Sequence, residues 1–199
     1  MLGSLGKSLQ MWKSRDLALV ILMAVTHFIF TVLVGQLAML FTGILGSGLI
    51  FTIGHAIIIS FAVLMYQGKR WRFLLQHILF AFLVIPTYLL GIPFEVLPRI
   101  AIIIHGIQGD ILFSSLYGIF KIRNKLIWLS VFVAVEFSLT VPFINILWHS
   151  LFYPPEFIAA YTNTVLLLLP VVIIESIFGG IIGYRIYQRI KKLGYVKDQ

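Results

Sequence analysis

Residues 126–148 read LIWLSVFVAVEFSLTVPFINILW, and Glu136 is the only acidic or basic side chain in this stretch. Three cations, Lys121, Arg123 and Lys125, stand just before it. A helix needs about 20 mostly apolar residues to cross a bilayer, and short cytoplasmic loops collect Lys and Arg. The stretch therefore predicts a membrane-spanning helix that begins on the cytoplasmic side.

The composition of the whole chain agrees with this prediction. Of its 199 residues, 60% are hydrophobic and only 11% are charged, and the mean hydropathy is +1.04. Soluble domains are about 45–50% apolar and about 25% charged. This balance excludes soluble enzymes, nucleic-acid-binding domains and disordered proteins. The chain has no cysteine, which excludes a disulfide scaffold, a thiolate metal site and a cysteine nucleophile.

Charged clusters divide the sequence into lengths that suit membrane spans. We predict an all-α integral membrane protein that forms a single transmembrane domain over residues 1–199, with six transmembrane helices. The predicted spans are 16–34, 48–66, 73–91, 99–120, 126–148 and 161–187. The apolar stretch Gly35–Ser47 is too short to cross again, and we interpret it as a loop or a short helix at the membrane surface or dipping into the protein.

The cations predict the orientation. Fourteen of the fifteen Lys and Arg residues lie before span 1, between spans 2 and 3, between spans 4 and 5, or at the end of span 6 and beyond; Arg99 alone lies on the other side. Both termini are therefore expected in the cytoplasm. The net charge of +8 is then a topology signal with some attraction to the lipid bilayer, and we expect no nucleic-acid partner.

Ionisable side chains inside the predicted spans are costly and usually face protein or a cavity. Asp110, Glu136 and Glu175 fall near the middle of spans 4, 5 and 6, and His27 lies at a similar depth in span 1. One interpretation is a polar cavity that opens outward. The alternative for Asp110 and Glu175 is a structural role, in which Asp110 ties span 4 to a neighbour through His27.

A ligand pocket is predicted between spans 4, 5 and 6 in the outer half of the membrane. Aromatic and amide groups suit a flat polar organic ligand, because rings stack and amides form hydrogen bonds. Anchoring at the interface is the alternative role for Trp148. If the pocket lies elsewhere, the next candidates are His27, His55 and the segment Gly35–Ser47. The predicted substrate-binding residues are His105, Gln108, Glu136, Asn145, Trp148 and Asn163.

Small residues mark predicted packing faces. Gly179 and Gly183 form a G-x-x-x-G step in span 6, and Gly106 and Gly109 interrupt span 4. Such steps allow helices to approach closely, either within the fold or against a membrane partner.

Catalytic patterns are not evident. The sequence contains no G-x-S-x-G, no H-E-x-x-H and no phosphate-cradling glycine loop. Its five histidines fall on five segments, so no metal site can be inferred from their spacing. We expect no catalytic residue, no metal and no cofactor. The function classes left open are a binding subunit, a stand-alone secondary transporter or channel that uses the acids and His27, an intramembrane enzyme and a scaffold.

Three stretches resemble the substrate-binding S components of energy-coupling factor (ECF) vitamin transporters. They are WKSRDLALVILMAV at the start, RIAIIIHGIQGDILFSSLYGIFK around span 4 and IIESIFGGIIGYRIYQRIKKLG at the end. The segment GIQGDILF is also similar to the matching helix of the thiamin and hydroxymethylpyrimidine branch. The resemblance implies a six-span subunit in the plasma membrane of a prokaryote. It would bind a small water-soluble vitamin or precursor, with a thiamin-like compound as our interpretation.

The resemblance also implies partners, namely a membrane coupling protein and two ATPase subunits that hydrolyse the ATP. The family docks through a small-residue step in span 1. Here the corresponding residues are Ala18 and Ala24, six positions apart, so the step departs from the A-x-x-x-A pattern. Metal-specific members carry a histidine just after Met1, whereas this chain continues with Leu2. A cobalt or nickel substrate is therefore not expected.

Overall fold

The computed structural model describes residues 12–42, 47–89 and 92–194, and all regular structure in these ranges is helical. Five helices are long and apolar enough to cross a membrane, and a shorter apolar helix lies at 72–84. The chain therefore has the architecture of a helical membrane protein. Its α-helices are α1 Ser14–Thr42, α2 Thr52–Tyr66, α3 Arg72–Val84, α4 Ile100–Ile122, α5 Leu126–His149 and α6 Pro155–Lys192. Short 3-10 helices precede α2 and α4 at Ser47–Phe51 and Leu97–Arg99.

Helix α1 is longer than the predicted span 16–34. It continues through Gly35 to Thr42, so the first part of the segment predicted as a loop or short helix is helical and continuous with α1. Residues 43–46 lie outside the described ranges. At 29 residues, α1 measures about 44 Å, which exceeds the roughly 30 Å hydrocarbon thickness of a bilayer.

Helix α3 is shorter than the predicted span 73–91. Its 13 residues measure about 20 Å, so they do not cross a bilayer alone. Turns follow at 85–89. The Arg99 side chain binds carbonyl oxygens of the irregular segment between α3 and α4. Its guanidinium donates to the carbonyl oxygens of Thr87 at 2.7 Å, of Ile92 at 2.8 Å and of Glu95. Arg99 is thus buried and holds the α3–α4 connection together.

The six helices alternate in direction. Around the bundle they follow in the order α1, α3, α4, α5, α6 and α2, and α2 also packs against α5 across the interior. The start of α1 meets the α2–α3 loop, where the Asp16 carboxylate pairs with Arg72 at 2.8 Å and with Lys69 at 3.3 Å. Arg72 also lies over the ring of Trp12, 4.9 Å from its centroid. Because the directions alternate, the start of α1 and the end of α6 lie at the same end of the bundle, which we call the basic end.

Glycines in α6 bring three helices into close contact. A Cβ atom added to Gly179 would lie 2.8 Å from the Ile53 carbonyl oxygen of α2, and one added to Gly180 would lie 2.7 Å from the Val131 Cα of α5. Gly183 faces Ser60 of α2 in the same way. The G-x-x-x-G step therefore packs inside this chain. Ala18 and Ala24, the predicted docking residues of span 1, do not share one surface, because Ala24 is buried whereas Ala18 is exposed.

Two of the three mid-span acids cap helices across the bundle. Asp110 of α4 accepts hydrogen bonds from the backbone N–H groups of Trp71 at 2.8 Å, Phe73 at 3.2 Å and Leu74 at 3.5 Å, at the start of α3. Glu175 of α6 accepts one from the N–H of Ile53 at 3.0 Å, at the start of α2. The first N–H groups of a helix have no partner within it, and the helix dipole favours a negative charge there.

This contact changes the predicted surroundings of Asp110. Its partners belong to the start of α3 and not to His27, which is bonded to His55 instead. Because Trp71 follows directly on the loop that contains Lys69 and Arg70, Asp110 lies at the level of that loop. The predicted position of Asp110 near the midplane was based on its distance from the ends of span 4. That distance is misleading, because α4 continues past the loop toward Ile122.

Candidate functional site

Four histidines from four helices meet in the interior of the bundle. His27 of α1 and His55 of α2 place their Nε2 and Nδ1 atoms 3.1 Å apart, so that one nitrogen donates a hydrogen bond to the other. The His77 ring of α3 lies 5.9 Å from the His27 ring, centroid to centroid. Phe137 of α5 lies 5.6 Å from the His77 ring and 6.2 Å from the rings of His27 and His105. These residues are called the histidine cluster below.

The aromatic walls of the cluster are ordered. His27 stacks on Phe80 at a centroid distance of 4.3 Å with an interplanar angle of 9°. Phe73 packs against His77 at 4.3 Å and edge-on against Phe137 at 6.2 Å. Offset and edge-to-face contacts of this kind contribute beyond simple burial. The rings of His27, His77 and His105 are thus buried beside phenyl rings.

Glycines let α3 and α4 bring their histidines together. A Cβ atom on Gly106 would lie 2.7 Å from the Cβ of His77, and one on Gly109 would lie 2.7 Å from Cδ1 of Phe73. Without side chains at these positions, the two helices approach closely enough for His77 and His105 to lie beside the same phenyl ring of Phe137. The glycine pair in span 4 therefore positions the histidine cluster.

Hydrogen-bond partners indicate which ring nitrogens have free lone pairs. His77 Nδ1 lies 2.9 Å from the Phe73 carbonyl oxygen, which can only accept, so Nδ1 holds the hydrogen and Nε2 is bare. His105 Nε2 faces Asn145 Oδ1 at 3.5 Å, which leaves its Nδ1 bare by the same reasoning. Within the described part of the chain, His77 Nε2, His105 Nδ1 and His27 Nδ1 are buried and have no hydrogen-bond partner. His77 Nε2 and His105 Nδ1 are thus acceptors without a donor, whereas His27 Nδ1 accepts only in the tautomer in which His27 Nε2 donates to His55.

A second group of polar side chains lies between α4 and α5. The Gln108 amide donates to the Glu136 carboxylate, and both residues are half-buried. Asn145 faces His105 and also shares a hydrogen bond with Tyr161 of α6. The structure therefore brings four of the six predicted substrate-binding residues into two pairs across α4 and α5.

The other two predicted residues lie elsewhere. The Trp148 indole donates to the Leu97 carbonyl oxygen at 2.8 Å, which fastens the end of α5 to the chain entering α4. Asn163 is exposed on α6, so its side chain does not line a closed pocket between spans 4, 5 and 6. Near the same end, the Tyr153 hydroxyl donates to Glu95 at 3.4 Å. Burial, together with the Glu95 carboxylate, raises the pKa of Tyr153 and keeps it a donor.

The predicted lining omitted His77, Phe137 and Ser138, whose hydroxyl is buried without a partner among the described residues. His27 and His55 were named only as the next candidates. No periodic signal joins these positions because each histidine comes from a different helix. In the described ranges, no three His, Asp or Glu side chains are placed to hold a metal ion together.

Comparison of the chain with family models, with curated proteins and with solved structures returned no match.

Proposed function

We propose that the protein is the membrane-embedded substrate-binding subunit of an ECF-type transporter. In this proposal it has six membrane crossings and both termini in the cytoplasm of a prokaryotic cell. The observation that carries the proposal is the histidine cluster, in which three buried ring nitrogens have no hydrogen-bond partner among the described residues. A buried polar group without a partner costs about 1–3 kcal/mol. A site that keeps three of them is suited to a ligand that supplies the missing partners.

The chemistry of the cluster supports one class of ligand. Neutral imidazole nitrogens accept hydrogen bonds, so an anion would meet lone pairs whereas an amine, amidine or ammonium group would donate to them. Glu136, half-buried beside Gln108, adds a carboxylate that favours positive charge. Phe80 and Phe137 offer faces and edges to a flat ring. A cationic or amine-bearing aromatic compound of the thiamin type fits this combination.

The proposed orientation rests on charge. Arg99 is buried at the end opposite the basic end. The described cations of the basic end include Lys69, Arg70, Arg72, Arg185, Arg189, Lys191 and Lys192. The positive-inside rule then places the basic end in the cytoplasm. The sixth crossing consists of α3 together with the irregular segment after it. Non-helical backbone is tolerated at membrane depth where protein groups satisfy it, and Arg99 binds three carbonyl oxygens of that segment.

The proposed partners are a membrane coupling protein and two ATPase subunits, since the sequence has no phosphate-binding motif of its own. Helix α1 offers a surface for docking. Its outer face exposes Leu17, Ile21, Leu22 and Ile29 to between 44% and 57%, and Ala18 is exposed beside them. A partner helix that packs here would meet Ala18 and not the buried Ala24.

Small molecules that remain bound through purification, identified by mass spectrometry, would name the ligand. Binding of that compound is then measured by calorimetry. Glu136→Gln keeps the shape and removes the charge, so the affinity should fall roughly 10- to 100-fold, because charge-assisted contacts contribute about 1.5–3 kcal/mol. His77→Phe keeps a ring and removes the bare nitrogen, and should weaken binding by roughly 2- to 10-fold.

Glu156→Gln is the matched control, because Glu156 is exposed at the start of α6, and its affinity should equal that of the wild type. If Glu136→Gln and His77→Phe also bind like the wild type while their melting temperatures fall, these residues are structural and the site is wrong. Recovery of the coupling protein and ATPases with the tagged chain tests the transporter assignment separately.

A stand-alone proton-coupled transporter is the second candidate. The observation that favours it is the 3.1 Å contact between His27 and His55, with His77 next in line, because neighbouring imidazoles can pass protons. The two candidates differ in their energy source. In proteoliposomes without ATPases, a pH gradient should drive no uptake of the identified ligand if the chain is an S component, and should drive uptake if it is a proton-coupled transporter.

A further inference from the structure

A cleft of about 290 Å³ lies at the basic end, where α4 passes into α5. Its walls are Ile119 and Phe120 from the last turn of α4, Arg123 and Lys125 from the connection, and Trp128 from the first turn of α5. Its volume is at the small end of the range for ligand pockets, which is about 300–1,000 Å³. The cleft therefore suits a compact group.

Two backbone hydrogen bonds close the turn that forms the cleft. The Lys125 N–H donates to the Phe120 carbonyl oxygen at 2.8 Å, and the Asn124 N–H donates to the Lys121 carbonyl oxygen at 3.1 Å. The backbone of Asn124 has a φ of 53°. This is the Schellman pattern, with Asn in the left-handed conformation that closes a helix. It fixes the backbone on which Arg123 and Lys125 stand.

The cleft combines uncompensated positive charge with an apolar margin. Arg123 and Lys125 are exposed. Within the described ranges, neither has an acidic side chain at ion-pair distance, and the ion pairs of the basic end join Asp16 to Lys69 and Arg72. Trp128 is 61% exposed, Ile119 48% and Ile122 85%. The cations match the phosphate of a lipid, and the indole N–H matches its glycerol region. The exposed isoleucines match an acyl chain.

We propose that this cleft binds the headgroup phosphate of an anionic phospholipid such as phosphatidylglycerol. Arg123 and Lys125 contact the phosphate, Trp128 lies at the level of the ester groups, and one acyl chain lies along Ile119 and Ile122. A soluble phosphate would use only the two cations and would leave the apolar margin uncovered. The proposal does not depend on what the bundle interior binds.

The test is native mass spectrometry of the delipidated protein exchanged into micelles that contain equal amounts of phosphatidylglycerol and phosphatidylcholine. We expect one retained phosphatidylglycerol on the wild type. The double variant Arg123→Gln, Lys125→Gln should reduce the phosphatidylglycerol-to-phosphatidylcholine ratio roughly 10- to 30-fold, since each cation near an anionic lipid contributes about 1 kcal/mol. Trp128→Ala should lower the amount of lipid that the protein retains, while the phosphatidylglycerol-to-phosphatidylcholine ratio stays that of the wild type.

The control is Arg185→Gln, Arg189→Gln, which removes the same charge from exposed positions on α6. It should keep the wild-type ratio. Equal losses in both double variants would mean that diffuse attraction to the basic end explains binding and would overturn the cleft. Displacement of the lipid by glycerol phosphate at equal concentration would also overturn it, because the acyl chain would then contribute nothing. A circular dichroism spectrum of each variant shows that it is folded.

Discussion

Replacing Asp110 with alanine should destabilise the protein strongly. The side chain is 5% exposed, and its two carboxylate oxygens receive the N–H groups of Trp71, Phe73 and Leu74. Helical bonding within α3 only begins with the N–H of Leu75, which donates to the Trp71 carbonyl oxygen. The variant therefore leaves the whole start of α3 without acceptors. Of the three lost bonds, the one from Leu74 is long at 3.5 Å, and water can reach the exposed Trp71.

The magnitude follows from these bonds. A buried donor left without a partner costs about 1–3 kcal/mol, and a charge at a helix start contributes about 0.3–1 kcal/mol, up to about 2 in partly buried settings. Phe73 bears the full cost and Trp71 part of it, so Asp110→Ala should lower the free energy of unfolding by about 3–4 kcal/mol. Asp110→Asn keeps one acceptor oxygen and loses the charge, and should cost about 1–2 kcal/mol.

Denaturation in detergent micelles, followed by tryptophan fluorescence, measures both values. Hydrogen exchange adds a local measurement, because the amides of Phe73 and Leu74 should lose protection in Asp110→Ala while those in the middle of α5 keep it. Glu156→Gln, an exposed acid in the first turn of α6, should cost less than about 1 kcal/mol. Unchanged protection at Phe73 in the alanine variant would refute the capping role of Asp110.

Three further predictions rest on other contacts. Glu175→Ala removes a single bond to Ile53 and should cost about 1.5–3 kcal/mol, with exchange at the Ile53 amide as the local readout. Gly180→Ala should cost about 1–3 kcal/mol, because its Cβ would lie 2.7 Å from the Val131 Cα; Gly118→Ala, with no atom within 4 Å, should be neutral or stabilising by up to about 1 kcal/mol. Cysteines at the exposed positions Arg70 and Leu151 test the orientation: an impermeant reagent applied to intact cells should label the second and not the first, and the reverse would place the basic end outside.

The sequence predicted the long helices well because hydropathy counts the apolar residues that a crossing requires. The predicted span 126–148 coincides with α5 Leu126–His149. The count failed for 73–91, because a window of apolar residues does not distinguish helical backbone from irregular backbone. There, carbonyl groups bond to Arg99 instead of to N–H groups one turn later. It also ended α1 too early, since Gly35 lowers helix propensity by only about 1 kcal/mol and residues 36–42 contain no proline.

The candidate site was less predictable. The pairs His105–Asn145 and Gln108–Glu136 could be anticipated because all four side chains lie on two consecutive, antiparallel helices. The meeting of His27, His55 and His77 depends on how four helices pack, and no spacing along the chain encodes it. A weak signal was present in Gly106 and Gly109, because small residues on α4 indicate that another helix comes close.

The contacts of the acids sharpen the assignment of roles in the interior. The first N–H groups of α2 and α3 have no acceptor within their own helices, and Glu175 and Asp110 each accept from one of these helix starts. A carboxylate that accepts such bonds is held by the fold and is not free to bind cargo. Of the three mid-span acids, Glu136 alone has a side-chain amide as its partner, and Gln108 can turn away when a stronger donor arrives. The groups left to meet a ligand are therefore Glu136 and the bare nitrogens of the histidine cluster. Glu136, His77 Nε2 and His105 Nδ1 accept hydrogen bonds or carry negative charge, and the proposed ligand is for this reason a donor that carries positive charge.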